Sequence, residues 1–336
     1  MKKICFLWAL GMILTASSAL AVGYYEFSVF TGVPAYSVYD VATYGNEIYY
    51  GGGPSVYRTS VSIADTAKAD EPYYLADGTT LNPNYQPRSF SSPVAISLSG
   101  YDGSLNSSSV GEMYVDDSYL YTLGYKQNVT AAGYRNEVVK FDKATGNYVE
   151  TVASTPTAGG AITGTGWGNF SLLSYGGGKW WVGNEDREVY SLTPGDSDWT
   201  YQFTWANMAG SHGDGLEFVN GYLFVSDMTS NYIAQWGMGD NPDTEATETG
   251  WNEWNRFAYD EILGTSGKDV EGMGFGALNH FWAGNGTYLY ELGGGEIQQY
   301  LGGGDDGPPP VPEPGTLFLL GAGLSSLVLA RRRRSE

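Results

Sequence analysis

Oxygen donors are the first candidates for chemistry in this 336-residue chain. Asp40, Glu112, Asp214, Glu217 and Glu271 each fall near the start of a segment that reads as a β-strand. Several such carboxylates turned into one funnel would trap Ca2+ or another hard cation, which takes about six to eight oxygen ligands. The same residues serve equally well as strand-end caps and turn acceptors, so both readings stay open. Nucleophilic chemistry has less to build on. His212 and His280 are the only histidines. Ser211, His212 and Asp214 are neighbours in sequence, but a triad is a spatial arrangement that adjacency does not build. His280 falls in a hairpin turn and reads as exposed. No phosphate loop, HExxH or paired-cysteine pattern is present. Aromatic rings offer a second route: Trp251 and Trp254 stand beside the acidic stretch 239–250. Such rings stack on the apolar faces of sugars, so this pair is a candidate surface binder.

Whatever the chemistry, strands must position it. Aromatic residues make up 15% of the chain and glycines number 48, a composition that favours strands and tight turns over helices. Residues 215–227 read as two strands reversed by Asn220-Gly221, a strong short hairpin signal. A third strand at 232–236 and a fourth at 251–257 follow. The order recurs at 170–205 and 272–301, and in the earlier copies at 111–152 and 38–75. The first copy has an ill-defined fourth strand near 73–75, and the last takes 296–301 as its fourth. Such a repeat predicts an all-β chain: a β-propeller of five four-stranded blades, with six as the alternative if 76–108 is a degenerate blade rather than an insertion. The circle closes if 24–30 or 296–301 completes a terminal blade. The glycine runs at 51–53, 176–178 and 293–295 lie between strands and read as blade turns.

The unit from His212 through Asp227 to Ile233 resembles the repeats of NHL-type and gluconolactonase-like propellers. That resemblance implies a metal site built from Glu, Asn and Asp, for which Glu271, Asn184 and Asp227 fit best, with Glu217 and Glu112 as further donors. Ca2+ is the cofactor it points to. It also implies the competing reading of a metal-dependent hydrolase or lactonase with its site at the propeller mouth.

The two ends carry address information. Lys2 and Lys3, an apolar core and Ala19-Leu20-Ala21 form a secretory signal peptide over 1–21, with cleavage read at Ala19 and Ala21 by a signal peptidase. Cys5, the only cysteine, lies in that removed segment, so the mature protein is thiol-free. At the other end, a Gly/Pro linker covers 302–310 and the propeller domain covers 22–301. Then come Val311-Pro312-Glu313-Pro314, an apolar helix at about 316–330, and Arg331, Arg332, Arg333 and Arg334. The fourteen residues 317–330, apolar but for small residues and Ser325-Ser326, rise about 21 Å, less than the roughly 30 Å hydrocarbon core, so this is a short span, and the arginines hold its end in the cytoplasm. The layout of 311–336 resembles the PEP-CTERM sorting signal. That implies recognition by an exosortase, a transient inner-membrane anchor, and then release or transfer to the cell surface.

A net charge of −20 disfavours nucleic acid as a partner. Export, repeats and the lack of a catalytic cluster together predict a non-enzymatic binding or scaffold protein with extracellular polysaccharide as its partner.

Overall fold

The computed structural model describes residues 25–34, 38–52, 55–73, 75, 80–105, 113–128, 133–154, 170–184, 187–197, 199–205, 213–227, 232–241, 247–258, 271–284, 286 and 288–293. The signal segment, residues 296–301 and the entire tail lie outside them. Among the described residues no helix is long and apolar enough to cross a membrane.

Five antiparallel sheets form the blades of a propeller. Blade 1 runs outward through Asp40–Tyr44, Glu47–Gly52, Ser55–Ser62 and Val94–Ser97. Blade 2 uses Tyr114–Val115, Tyr119–Asn128, Gly133–Asp142 and Tyr148–Ser154, with Ser104–Leu105 also paired to Tyr119–Asn128. Blade 3 comprises Phe170–Gly176, Lys179–Asn184, Glu188–Leu192 and Thr200–Thr204. Blade 4 comprises Gly215–Val219, Tyr222–Asp227, Tyr232–Met238 and Trp251–Ala258. Blade 5 takes Met273–Phe275, Phe281–Gly284 and Leu289–Gly293, and its outermost strand is Tyr25–Phe30 from the start of the chain. The first strands contact one another in a closed ring, blade 1 to 2 to 3 to 4 to 5 and back to 1.

Two expectations change in detail. The fourth strand of blade 1 is Val94–Ser97, not 73–75, because 63–88 is an excursion inside that blade. The described strands of 76–108 join existing blades, Ser89–Phe90 and Val94–Ser97 in blade 1 and Ser104–Leu105 in blade 2, rather than a sixth. Blade 5 is completed by Tyr25–Phe30, with Tyr25 opposite Gly293 and Phe30 opposite Leu289. A strand supplied from the far end of the chain ties the first and last blades together and covers an edge that would otherwise stay open.

Apolar layers fill the spaces between blades. Ala42, Tyr49, Val56, Met113 and Phe141 pack between blades 1 and 2. Leu123, Val138, Leu173 and Trp180 join blades 2 and 3. Leu172, Trp205, Leu216 and Trp236 join 3 and 4. Val41, Ile48, Trp282 and Leu289 join 5 and 1. Between 4 and 5, the Phe224 and Phe281 rings meet at 4.9 Å. Asn220 (φ 49°) and Gly221 (φ 92°) make the two-residue turn that the sequence signals, both with positive φ. Blade 5 packs tightly on blade 1: a Cβ at Gly272 would sit 2.4 Å from Asp40 Cα, and one at Gly274 would sit 2.9 Å from Ala42 Cα.

The closure carries a buried polar network. The Arg88 and Glu291 side chains are fully shielded and paired at 2.8 Å through Arg88 Nε, with a second bond from Nη2 at 3.0 Å. Arg88 also donates to the carbonyls of Gln86 (2.6 Å) and Ala69 (2.7 Å). Ser28 on the closing strand donates to Glu291 at 2.5 Å. His280 is buried rather than exposed, with Nδ1 2.8 Å from Glu291 and Nε2 3.1 Å from Asp70. It was misread because its turn folds under the blade 1 excursion, a contact no local pattern encodes. Burial works to lower the His280 pKa, but its bonds to Asp70 and Glu291 outweigh this and raise it. Burial works to raise Glu291, and His280 and Arg88 overcome it and hold the carboxyl below its usual range.

Breaking a buried pair from one side leaves an uncompensated charge, at a cost of about 3–5 kcal/mol. Arg88→Met should lower unfolding free energy by that order in urea titrations. His280 contributes stability that is present below its unfolded pKa and lost as pH rises through the raised folded value. Glu291 contributes stability that is lost as pH falls through its lowered value. The contribution of this network therefore holds between these limits, and His280→Gln should remove the part of the alkaline loss that it causes.

Candidate functional site

The first strands of all five blades converge on one mouth of the channel, where they end in turns. There a cavity of about 300 Å³ is lined by Thr43 and Tyr44, Met113 and Tyr114, Tyr175, Glu217 and Phe218, and Phe275, among others. Each blade places an aromatic ring within the last two residues of its first strand: Tyr44, Tyr114, Tyr175, Phe218 and Phe275. All five residues line the cavity, with Phe218 also stacked on Trp181 (5.2 Å) and Phe275 also against Phe281 (4.9 Å). Tyr114 and Tyr175 lie 5.4 Å apart, and both meet Trp180, at 5.8 and 4.7 Å. Tyr44 is 42% exposed, which leaves ring surface for a ligand.

Two carboxylates knit the blades beneath these rings. Glu217 accepts hydrogen bonds from Ser174 of blade 3 and from the backbone N–H of Phe275 of blade 5. Asp40 accepts from its neighbour Val41 N at 2.7 Å and from the backbone N–H of Met113 of blade 2. Asp40 is fully buried, and its Oδ2 has no hydrogen-bond partner among the described residues. Burial pushes both carboxyls well above their ordinary range, and the Asp40 charge raises Glu217 further. Burial, followed by the charges of Asp116 and Glu217, pushes the Tyr114 phenol up to about 12. Ser174 Oγ also accepts from Phe218 N at 3.0 Å, and Thr43 donates to Phe275 O at 2.6 Å, so the cup is held by bonds across blades.

The sequence-derived donors scatter. Glu217 lies in the cup. Asn184 is buried at the end of its strand and spends its amide within blade 3, donating to Glu188 Oε2 at 3.0 Å and accepting from Glu188 N at 2.9 Å. Glu271 is half-buried, and its carbonyl accepts from Ser226 at 3.1 Å. Asp227 ends the second strand of blade 4, and its side chain lies outside the described residues, as do Glu112, Ser211 and His212. Among the described residues no group of three or more His, Cys, Asp or Glu is close enough to hold a metal ion. Trp251 packs against Trp181 (5.5 Å) and Phe203 (5.5 Å), and its indole donates to Gln202 at 3.3 Å. Trp254 instead meets Tyr222 at 5.1 Å and lies over Gly237. The two indoles thus belong to separate packing groups, both half-buried. The ring of five aromatics went unread in the sequence, although its signal is there: an aromatic just before the first turn of every repeat.

Residues 310–334 match the PEP-CTERM protein-sorting motif. The chain carries an export and sorting tag. This motif implies membrane-anchored sorting followed by exosortase processing, and the match includes Val311 to Pro314 and Arg331 to Arg334. No curated protein matches the chain in sequence. Among solved structures the chain is similar to a streptogramin B lyase, with 10% identity, TM-score 0.41, and coverage of 81% of this chain and 98% of that one. It is similar to glutaminyl cyclase of Myxococcus xanthus, with 10% identity, TM-score 0.38, and coverage of 81% and 94%. The WD40 propeller domain of Doa1 is also similar, with 11% identity, TM-score 0.39, and coverage of 81% and 97%.

The raised carboxyls make a directional prediction. An acid whose pKa rises on folding contributes stability that is complete below its unfolded pKa, about 4, and lost as pH rises through the folded value. Unfolding free energy measured against pH should therefore fall on the alkaline side of about pH 4, and Glu217→Gln should flatten that slope. For the tag, replacing Pro312, Glu313 and Pro314 with alanine should leave the full-length chain in the membrane fraction on immunoblots, with the processed form lost.

Proposed function

We propose that this protein is an exported, non-enzymatic propeller that binds saccharide of the extracellular matrix in the cup at the channel mouth. In this reading a signal peptidase removes 1–21 and residues 22–301 form the binding body. The linker 302–310 then joins that body to the tag, whose helix at about 316–330 anchors it until an exosortase acts and the body reaches the cell surface. The observation that supports it is the composition of the cup: rings from all five blades, the Thr43 hydroxyl, and a single carboxylate on the lining. Sugars offer apolar C–H faces to such rings and hydroxyls to such polar groups, and binding sites characteristically combine an apolar wall with a few placed polar atoms. At about 300 Å³ the cup is at the small end of ligand sites, which run from about 300 to 1,000 Å³, so it suits one sugar unit or a chain end. The lone lining carboxylate is committed to bonds across blades. That favours binding over hydrolysis, which uses paired carboxyls or a metal.

Affinity electrophoresis of the mature protein through gels containing the producer's extracellular polysaccharide tests this. Retardation is expected. Combined Tyr44→Ala and Tyr175→Ala should reduce retention at least tenfold while the folded far-UV signal is kept. Release of reducing ends would overturn the reading in favour of a hydrolase. Loss of retention in Trp251→Ala or Trp254→Ala, with the tyrosine variants unaffected, would move the site to the outer edge of blade 4.

A further inference from the structure

Three features of the cup specify its ligand more closely than sugar chemistry in general. The first is charge. Among the described residues no lysine or arginine is on the lining, although Lys143 covers one face of the Tyr44 ring, whereas Glu217 is on it, and the Asp40 charge is felt at Glu217. The second is an unmet bond. Asp40 does not itself line the cavity; beneath it, Asp40 Oδ2 is buried with no hydrogen-bond donor among the described residues, which favours a protonated carboxyl or a nearby cation. The third is the ring surface. Tyrosine faces attract cations through their quadrupoles, more strongly when the cation is desolvated. The protein already uses this geometry beside the cup: Lys143 Nζ lies 4.2 Å from the Tyr44 ring centre while donating to Asp116 O at 2.7 Å.

A metal ion meets these conditions less well than an organic cation. Ca2+ needs about six to eight oxygens, whereas an ammonium needs only a few acceptors and gains from rings. Resting on the saccharide reading above, we infer that the cup selects a sugar with a free amine. Its ammonium faces Glu217 over the Tyr44, Tyr114 and Tyr175 rings, and its ring face packs on the aromatic rim. Specificity then comes from charge: an N-acetylated sugar presents no cation and leaves the acid pair uncompensated. The raised carboxyls agree with this, since a bound ammonium favours their charged forms.

The test is calorimetric titration of the mature protein with three oligosaccharides of equal length, made of glucosamine, N-acetylglucosamine or glucose. It is run at pH 6 and about 0.15 M salt, so that the general acidic surface is screened. The glucosamine oligomer should bind at least tenfold tighter than either neutral one. Glu217→Gln should remove that preference. Tyr44→Leu, at an exposed rim position, should weaken glucosamine binding without changing the thermal unfolding midpoint and serves if the Glu217 variant folds poorly. Equal or tighter binding of a neutral oligomer would overturn the amine specificity while leaving the saccharide reading standing. Glucosamine binding unchanged in both variants would also overturn it. Binding of none of the three would overturn the amine specificity, and the saccharide reading falls with it if gel retardation by the producer's polysaccharide is also absent.

Discussion

Everything in this molecule depends on closing a circle without a covalent bond. A ring of radial sheets is stable only if its last blade is completed, because each sheet exposes two apolar faces and a strand edge until a neighbour covers them. Here the first strand of the chain, Tyr25–Phe30, becomes the outermost strand of the last blade, beside Leu289–Gly293. Arg88, Glu291, His280 and Ser28 fasten that joint from both sides of the sequence. A single cysteine in the chain leaves no internal disulfide to do this work, and an ion network whose Arg88, Glu291 and His280 side chains are fully shielded takes that place. Such a network adds specificity of closure more than net stability, since desolvating the charges offsets much of their attraction.

Closure also creates the site. Five inner strands stand side by side only in the closed ring, so the cup exists as a product of the joint. Asp40 and Glu217 show the coupling: between them they accept hydrogen bonds from blades 1, 2, 3 and 5. Burying two acids near one axis is unfavourable, and both carboxyls respond by holding their protons more tightly. The same cost gives a cationic ligand something to relieve.

Much of the architecture was legible because the signals were local. Asn220-Gly221 between alternating apolar residues announced a hairpin, and the same order in five copies announced blades. The tail was legible for a different reason: the tag is read by other proteins as a linear pattern, so Val311 to Pro314 and the terminal arginines carry its meaning without folding. The reading failed where a residue's role depended on distant partners. Residues 73–75 looked like a fourth strand, and Val94–Ser97 took the position after a long excursion. His280 looked exposed, and Asp70 and Glu291, 210 and 11 residues away, enclose it.

The sequence by itself determined the address, the all-β repeat and the thiol-free body, since composition, spacing and short turns record these directly. Only the tertiary structure decided which oxygens and rings meet. Asn184 and Glu217 looked equivalent as donors along the chain, yet one is spent on Glu188 within blade 3 and the other lines the cup. Tyr44, Tyr114 and Tyr175 are separated by dozens of residues and become neighbours through circular closure, a property of the entire ring that no single repeat contains.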